Sequence, residues 1–194
     1  MKYSFTIFIS LVLCLSFSVG CTKPRKMVEV KPDGMTMLNN YVLDDLGSEQ
    51  YDGYIGVKIK VGSSDLKVTM LGRIGKHMRN DHELTILDET KAVVASTKLT
   101  SNPDAYYKEI AYAEIVSEQD VILKADTNYY VLSKEEKGKD FWYGEKTSTS
   151  ASPYFSIEGV VMSEDAYDFS FMKETVNKIL GPVDFVFTIV EQEE

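Results

Sequence analysis

The sequence predicts an all-β fold of antiparallel strands, a sandwich or a barrel. Three observations carry this expectation. Apolar residues recur at every second position in several segments, which marks a strand with one buried and one wet face. Clusters of Gly, Asn, Asp, Ser and Pro separate those segments at short intervals. A helical period is nearly missing across the 194 residues.

The elements follow in order. Tyr54–Val61 sets Ile55, Val57, Ile59 and Val61 on one face and Gly56, Lys58 and Lys60 on the other. Gly62-Ser63-Ser64-Asp65 is a turn, and Leu66, Val68 and Met70 open the next strand, with Gly72 expected to mark a bulge or bend. Residues 75–81 read as a polar loop. Leu84, Ile86 and then Val93–Leu99 read as a hairpin around Asp88-Glu89-Thr90-Lys91. A turn through Asn102-Pro103-Asp104 leads to strands at Tyr107–Ala113, Val121–Leu123 and Tyr129–Leu132, and late strands lie at Phe155–Met162 and Val183–Val190. Met172, Val176, Ile179 and Leu180 have the spacing of a short helix over 171–180, with Ser170 as cap and Gly181-Pro182 as stop. Tyr167, Phe169 and Phe171 alternate like a strand just before it, so helix and strand compete over 163–180.

The first residues have a different character. MKYSFTIFISLVLCLSFSVG has one Lys, an apolar run and a small-residue end at Ser18-Val19-Gly20, and Cys21 follows directly. The layout is that of a secretory signal, and a cysteine just after the cleavage point resembles a bacterial lipoprotein signal, in which that thiol carries the lipid. Ser18 stands where the lipoprotein pattern usually has Leu. An ordinary signal peptidase would accept Ser18 and Gly20 and cut the same bond, but would leave a lone thiol at an exposed N-terminus. The apolar stretch is short for a retained membrane helix. The expected organisation is a signal over 1–20, a basic tether over 21–34 that ends in Pro32-Asp33-Gly34, and one β-sandwich domain over 35–194.

The chain carries 21 Lys and Arg against 30 Asp and Glu, net −9. Loss of Lys2 with the signal leaves 20 against 30, or −10. Such an acidic body repels nucleic-acid phosphates and excludes that class of partner. Lys23, Arg25, Lys26 and Lys31 concentrate positive charge beside the anchor, where each gains about 1 kcal/mol near an anionic membrane surface. Surface-exported lipoproteins of some bacterial groups resemble one another in acidic residues just after the cysteine, so this basic stretch favours the periplasmic face, with the outer membrane expected, over the cell surface.

Four segments together resemble a known family. They are YIGVKIKVGSSDLKVTMLGRIG from Tyr54, HELTILDETKAVVAS from His82, VILKADTNYYVLS from Val121 and GPVDFVF from Gly181. They are similar to a jelly-roll β-sandwich domain of unassigned function found in secreted and envelope-attached bacterial proteins, often beside glycan-active or sorting modules. Leu123, Thr127 and Tyr129 match its Leu-x-x-x-Thr-x-Tyr strand pair, whereas the turn at 88–91 lacks its usual Gly. The resemblance implies jelly-roll winding and brings no catalytic residues with it.

No cofactor or metal is expected. His77 and His82 are five positions apart, which fits neither a helical face, a strand face nor a zinc motif, and reads as a solvated loop. No Gly-x-Ser-x-Gly, Gly-x-Gly-x-x-Gly or phosphate loop occurs. Paired carboxylates for a glycosidase carry no signal among 30 acidic residues. Asp44, Asp45, Asp81, Asp120, Asp126 and Asn128 suit ordinary turns better than a Ca²⁺ site.

Phe141-Trp142-Tyr143 is the distinctive motif. It holds the only Trp, in a charged stretch between KEEKGKD and EKTSTSAS. Aromatic faces stack on sugar C–H faces, so the three are candidate ligand-binding residues; the competing reading closes one end of the core with them. The sequence therefore points to a non-enzymatic envelope lipoprotein anchored through Cys21, whose sandwich binds glycan or another envelope component. The alternatives are an assembly subunit that holds a partner envelope protein, and then a hydrolase.

Overall fold

The computed structural model describes residues 34–37, 45–46, 51–76, 80–100, 109–137, 141–144, 152–163, 169, 172–175 and 182–191. The strands are β1 (Met35–Thr36), β2 (Asp45–Leu46), β3 (Gly53–Val61), β4 (Leu66–Lys76), β5 (His82–Asp88), β6 (Val93–Leu99) and β7 (Glu109–Glu114). They continue as β8 (Val121–Leu123), β9 (Asn128–Glu135), β10 (Phe141–Gly144), β11 (Phe155–Ser163), β12 (Lys173–Thr175) and β13 (Val183–Ile189). Every pairing between them is antiparallel.

Two sheets form an all-β sandwich. One contains the run β1–β13–β4–β7, the other the run β3–β9–β5–β6. The chain passes from β3 in the second sheet to β4 in the first, returns for β5 and β6, crosses to β7, returns for β9 and ends on β13. This is jelly-roll winding, with each sheet assembled from distant parts of the chain. Beyond that frame, β11 and β12 extend the second sheet past β3, and β10 and β2 extend the first. The long strand β4 is shared. β13 and β10 succeed each other along one of its edges, β8 and β7 along the other.

Alternation builds the core. Val57, Ile59 and Val61 meet Leu84, Ile86 and Val131 across the second sheet, and Leu66, Val68, Leu71, Phe185 and Phe187 face them from the first. Phe155, Phe185 and Phe187 pack with ring centroids 5.5–5.8 Å apart and tilted or edge-on, the arrangement that ring quadrupoles favour. A bulge shifts β4. Val186 pairs with Met70 but Phe187 pairs with Val68, so Thr69 is an extra residue. The inward positions then pass from Leu66 and Val68 to Leu71 and Arg73. The bulge is thus at Thr69. Gly72 instead makes room: a Cβ there would come 2.6 Å from the Tyr112 ring.

A second apolar layer lies on the outer face of the β3–β9–β5 sheet. Tyr54, Leu87, Tyr130, Leu132 and Val161 are buried there, with Phe169 and Met172 packed over them. It explains why the first half of β3 and most of β9 are buried on both faces. It also corrects the helix expected over 171–180. Lys173–Thr175 is strand β12, paired with Val160–Met162, because Met172 docks on this layer and edge pairing to β11 satisfies the backbone beside it. Residues 176–180 lie outside the described residues.

Candidate functional site

Of the residues singled out in the sequence, Cys21, with the signal and nearly all of the tether, lies outside the described residues. Phe141, Trp142 and Tyr143 form strand β10 rather than a loop. Phe141 pairs with Lys76 and Trp142 with Gly75, while Tyr143 pairs with Leu46. The motif therefore lies at the end of the sandwich where β4 finishes, β5 begins and β9 finishes.

That end has a polar interior. Arg73 donates from Nε to Glu135 Oε1 at 3.0 Å and from Nη2 to Oε2 at 2.7 Å. Ser133 Oγ donates to Glu135 Oε1 at 2.6 Å. His82 Nδ1 lies 3.0 Å from the Lys134 carbonyl oxygen and 3.7 Å from Glu135 Oε1. Arg73 is fully buried, and Glu135 and His82 are 2% and 3% exposed. His82 is thus a core residue of β5, which corrects the solvated-loop reading. Its alternation with Leu84 and Ile86 on one face was the available signal. His77 lies outside the described residues.

The outer face of the second sheet holds an open hollow of about 520 Å³ lined by Asp81, Glu83, Ser96, Thr97, Lys98, Lys134 and Glu136. A smaller one of about 270 Å³ adjoins it, sharing Glu83, Ser96 and Lys134 and adding Tyr54, Thr85, Val93 and Phe169. Register explains the convergence. Glu83 pairs with Lys98 and Thr85 with Ser96 across β5–β6, and Lys134 pairs with Tyr54 across β9–β3. With a side-chain period of two, these residues stand on one face. Thr85 Oγ1 and Ser96 Oγ are 3.4 Å apart on its floor. Lys98 Nζ is 2.7 Å from Asp81 Oδ2, and that hydrogen bond pushes the ammonium above its ordinary value. Phe169 meets Tyr54 edge-on at 5.0 Å and walls the apolar end.

Farther along the same face, Lys58 Nζ reaches Glu174 Oε2 at 3.1 Å, Tyr130 donates its hydroxyl to Glu174 Oε1 at 3.0 Å, and Lys91 Nζ stands 3.2 Å above the Tyr130 ring. Burial works against the Glu174 charge, yet the Lys58 and Tyr130 hydrogen bonds outweigh it and hold the carboxyl below its usual range. These contacts fix β12 onto the sheet. Among the described residues no three His, Cys, Asp or Glu side chains converge as a metal site would need.

Sequence reasoning missed the hollow. Its residues come from β5, β6 and β9 and from Asp81 and Glu136 beside them, and none forms a local motif. No family model matches the chain, and no curated protein matches it either.

Proposed function

We propose that this chain is a non-catalytic binding module of the bacterial cell envelope, anchored by lipid on Cys21, that takes glycan on the outer face of its β3–β9–β5–β6 sheet. The hollow carries the reading. Hydroxyls of Thr85 and Ser96, carboxylates of Glu83 and Glu136 and the ammonium of Lys134 line one open surface, with Val93 and Phe169 at its apolar end, whereas the Thr97 hydroxyl turns away to the Glu114 carbonyl. A polyhydroxylated ring needs that combination: many donors and acceptors, plus an apolar edge for its C–H face. Strands hold these groups more rigidly than loops would. The aromatic strand β10 begins five positions after Glu136, at the same end of the sandwich, and the sugar stacking that the sequence suggests for Trp142 is tested beside the hollow. The envelope location rests on residues 1–21 and the basic tether.

Two measurements test this. Palmitate labelling in the native host should mark the wild-type protein and leave Cys21→Ser unmarked. A glycan-panel screen of the full chain should find a ligand, weakened by Trp142→Ala. An unlabelled wild type removes the anchor, and an empty panel removes the glycan.

A second reading, an assembly subunit, is favoured by β6. It is the terminal strand of its sheet, and it presents Val93 at 60% and Val94 at 36% exposure. An edge of that kind accepts a strand from a partner. Recovery of a stable partner from native membranes, lost in Val94→Lys, would favour it over glycan binding.

A further inference from the structure

We propose that Phe169, Met172 and strand β12 form a latched strap on the outer face of the β3–β9–β5–β6 sheet, one that opens as a unit while the sandwich stays folded, with Glu174 as its latch. The strap holds one wall of the smaller hollow, and its opening is independent of what the hollow binds.

The strap is attached at few places. β12 pairs with Val160–Met162 through Lys173–Thr175, and it stands at the end of the strand order of its sheet. β11, in contrast, runs along β3 from Phe155 to Ser163. The Met172 N–H donates to the Phe169 carbonyl at 3.3 Å, a turn that joins the two apolar residues into one piece. What they cover is separate from the main core. Tyr54, Leu87, Tyr130, Leu132 and Val161 form their own cluster, and the sheet divides it from the core built on Val57, Ile59 and Val131. Lifting the strap therefore wets one outer layer and leaves the packing between the sheets intact. Elements with that little support open at a lower free energy than the whole fold.

The latch is polar and half wet. The Glu174 carboxylate takes the Lys58 ammonium of β3 at 3.1 Å and accepts the Tyr130 hydroxyl of β9 at 3.0 Å. Lys58 and Tyr130 are themselves register partners, so one carboxylate ties the strap to two neighbouring strands. The Glu174 side chain is 42% exposed, so water replaces these bonds readily when the strap lifts. The other end of the strap reaches the hollow. Phe169 meets the Tyr54 ring edge-on at 5.0 Å and lines the space of about 270 Å³. A closed strap gives that hollow its apolar wall. An open strap removes the wall and bares the layer around Tyr54 beside it.

The experiment is amide hydrogen exchange, resolved by residue, on the full chain in detergent without ligand. Wild type is compared with Glu174→Ala and with Tyr130→Phe, which undo the latch from the strap side and from the sheet side. The Met172 and β12 amides should exchange at least about tenfold faster than those of β3 and β9. Each variant should speed them about three- to tenfold further, with β3 and β9 exchange and the melting temperature unchanged. Exchange of β12 at the rate of β3 and β9 overturns the strap, since the sheet then opens as one. Unchanged β12 exchange in either variant overturns the latch. A rise spread over β3 and β9, with a lower melting temperature, also overturns it, by making Glu174 part of the global fold. A panel that finds no glycan removes the glycan reading and leaves these outcomes as they are.

Discussion

Arg73 and Glu135 close a two-pronged ion pair between the two sheets, at 3.0 and 2.7 Å, with both side chains excluded from water. The Thr69 bulge makes this possible, since it turns Arg73 inward. A pair of this kind is costly to bury and costlier to break. Removing one partner leaves a buried charge uncompensated, at about 3–5 kcal/mol. Glu135→Gln should lower stability by that amount in urea denaturation. The double variant Arg73→Met with Glu135→Leu should lose less than Glu135→Gln alone, because no charge is stranded.

Gly56 and Gly72 exclude a side chain for different reasons. A Cβ at Gly56 would run into the backbone carbonyl of Val131, whereas at Gly72 it would meet the Tyr112 ring at 2.6 Å. Gly56→Ala therefore cannot be rescued by changing a neighbour's side chain. Gly72→Ala should recover part of its loss in a Tyr112→Ala background. The two double-mutant cycles, read by thermal melts, should show coupling at the second site of roughly 1–3 kcal/mol.

Tyr112 links folding to alkaline pH. Its hydroxyl crosses β4 above Gly72 and donates to Asp184 Oδ2 at 2.7 Å. Burial first, and then the Asp184 carboxylate, push the phenol well above its ordinary value, against a smaller opposite effect from Thr36. The unfolded phenol ionises near 10. The raised folded value gives stability that is complete below about pH 10 and declines as pH rises toward that value. Tyr112→Phe should flatten this decline in denaturation measured from pH 9 to 11. At neutral pH the same variant should cost about 1–3 kcal/mol, because the buried Asp184 keeps its Phe185 N–H donor but loses the Tyr112 hydroxyl.

Lys91 balances a strained backbone against a ring contact. Its φ is 71°, in the left-handed region that costs a non-glycine residue about 1–2 kcal/mol. Its ammonium stands over Tyr130, a contact worth about 0.5–2 kcal/mol. Lys91→Gly should lie near the wild type in stability, since both effects vanish together. Lys91→Ala keeps the strain and loses the contact, and should melt measurably lower.

The strands were legible from alternation and turn residues. Tyr54–Val61, the Leu84–Leu99 hairpin around Asp88 and Val183–Val190 occur where the sequence places them, with boundaries shifted by a residue or two, but β3 and β13 are buried on both faces over most of their length, and Ile189, expected inside, is exposed. The strand order agrees with the expected sandwich of antiparallel, jelly-roll-like winding. Three features were hidden. The Thr69 bulge breaks the period without a Gly or Pro to announce it. His82 sits against the polar end of the core, so its surroundings come from β9, over fifty positions away. The 171–180 segment has helical spacing that tertiary pairing overrides at Lys173–Thr175. The hollow depends on the register of three strands, which no single segment encodes, whereas the Phe141–Tyr143 motif was conspicuous from composition alone.

The central claim is that the outer sheet face is a binding surface. Ser96 is exposed on the floor of the hollow, and a large ring there would fill it without entering the core. The most direct measurement compares wild type and Ser96→Trp for binding to the ligand found in the glycan panel, beside thermal melts of both. The account predicts that Ser96→Trp abolishes binding and keeps the melting temperature. Undiminished binding in a folded Ser96→Trp protein would contradict it and move the site elsewhere, with β10 and Trp142 the next to test.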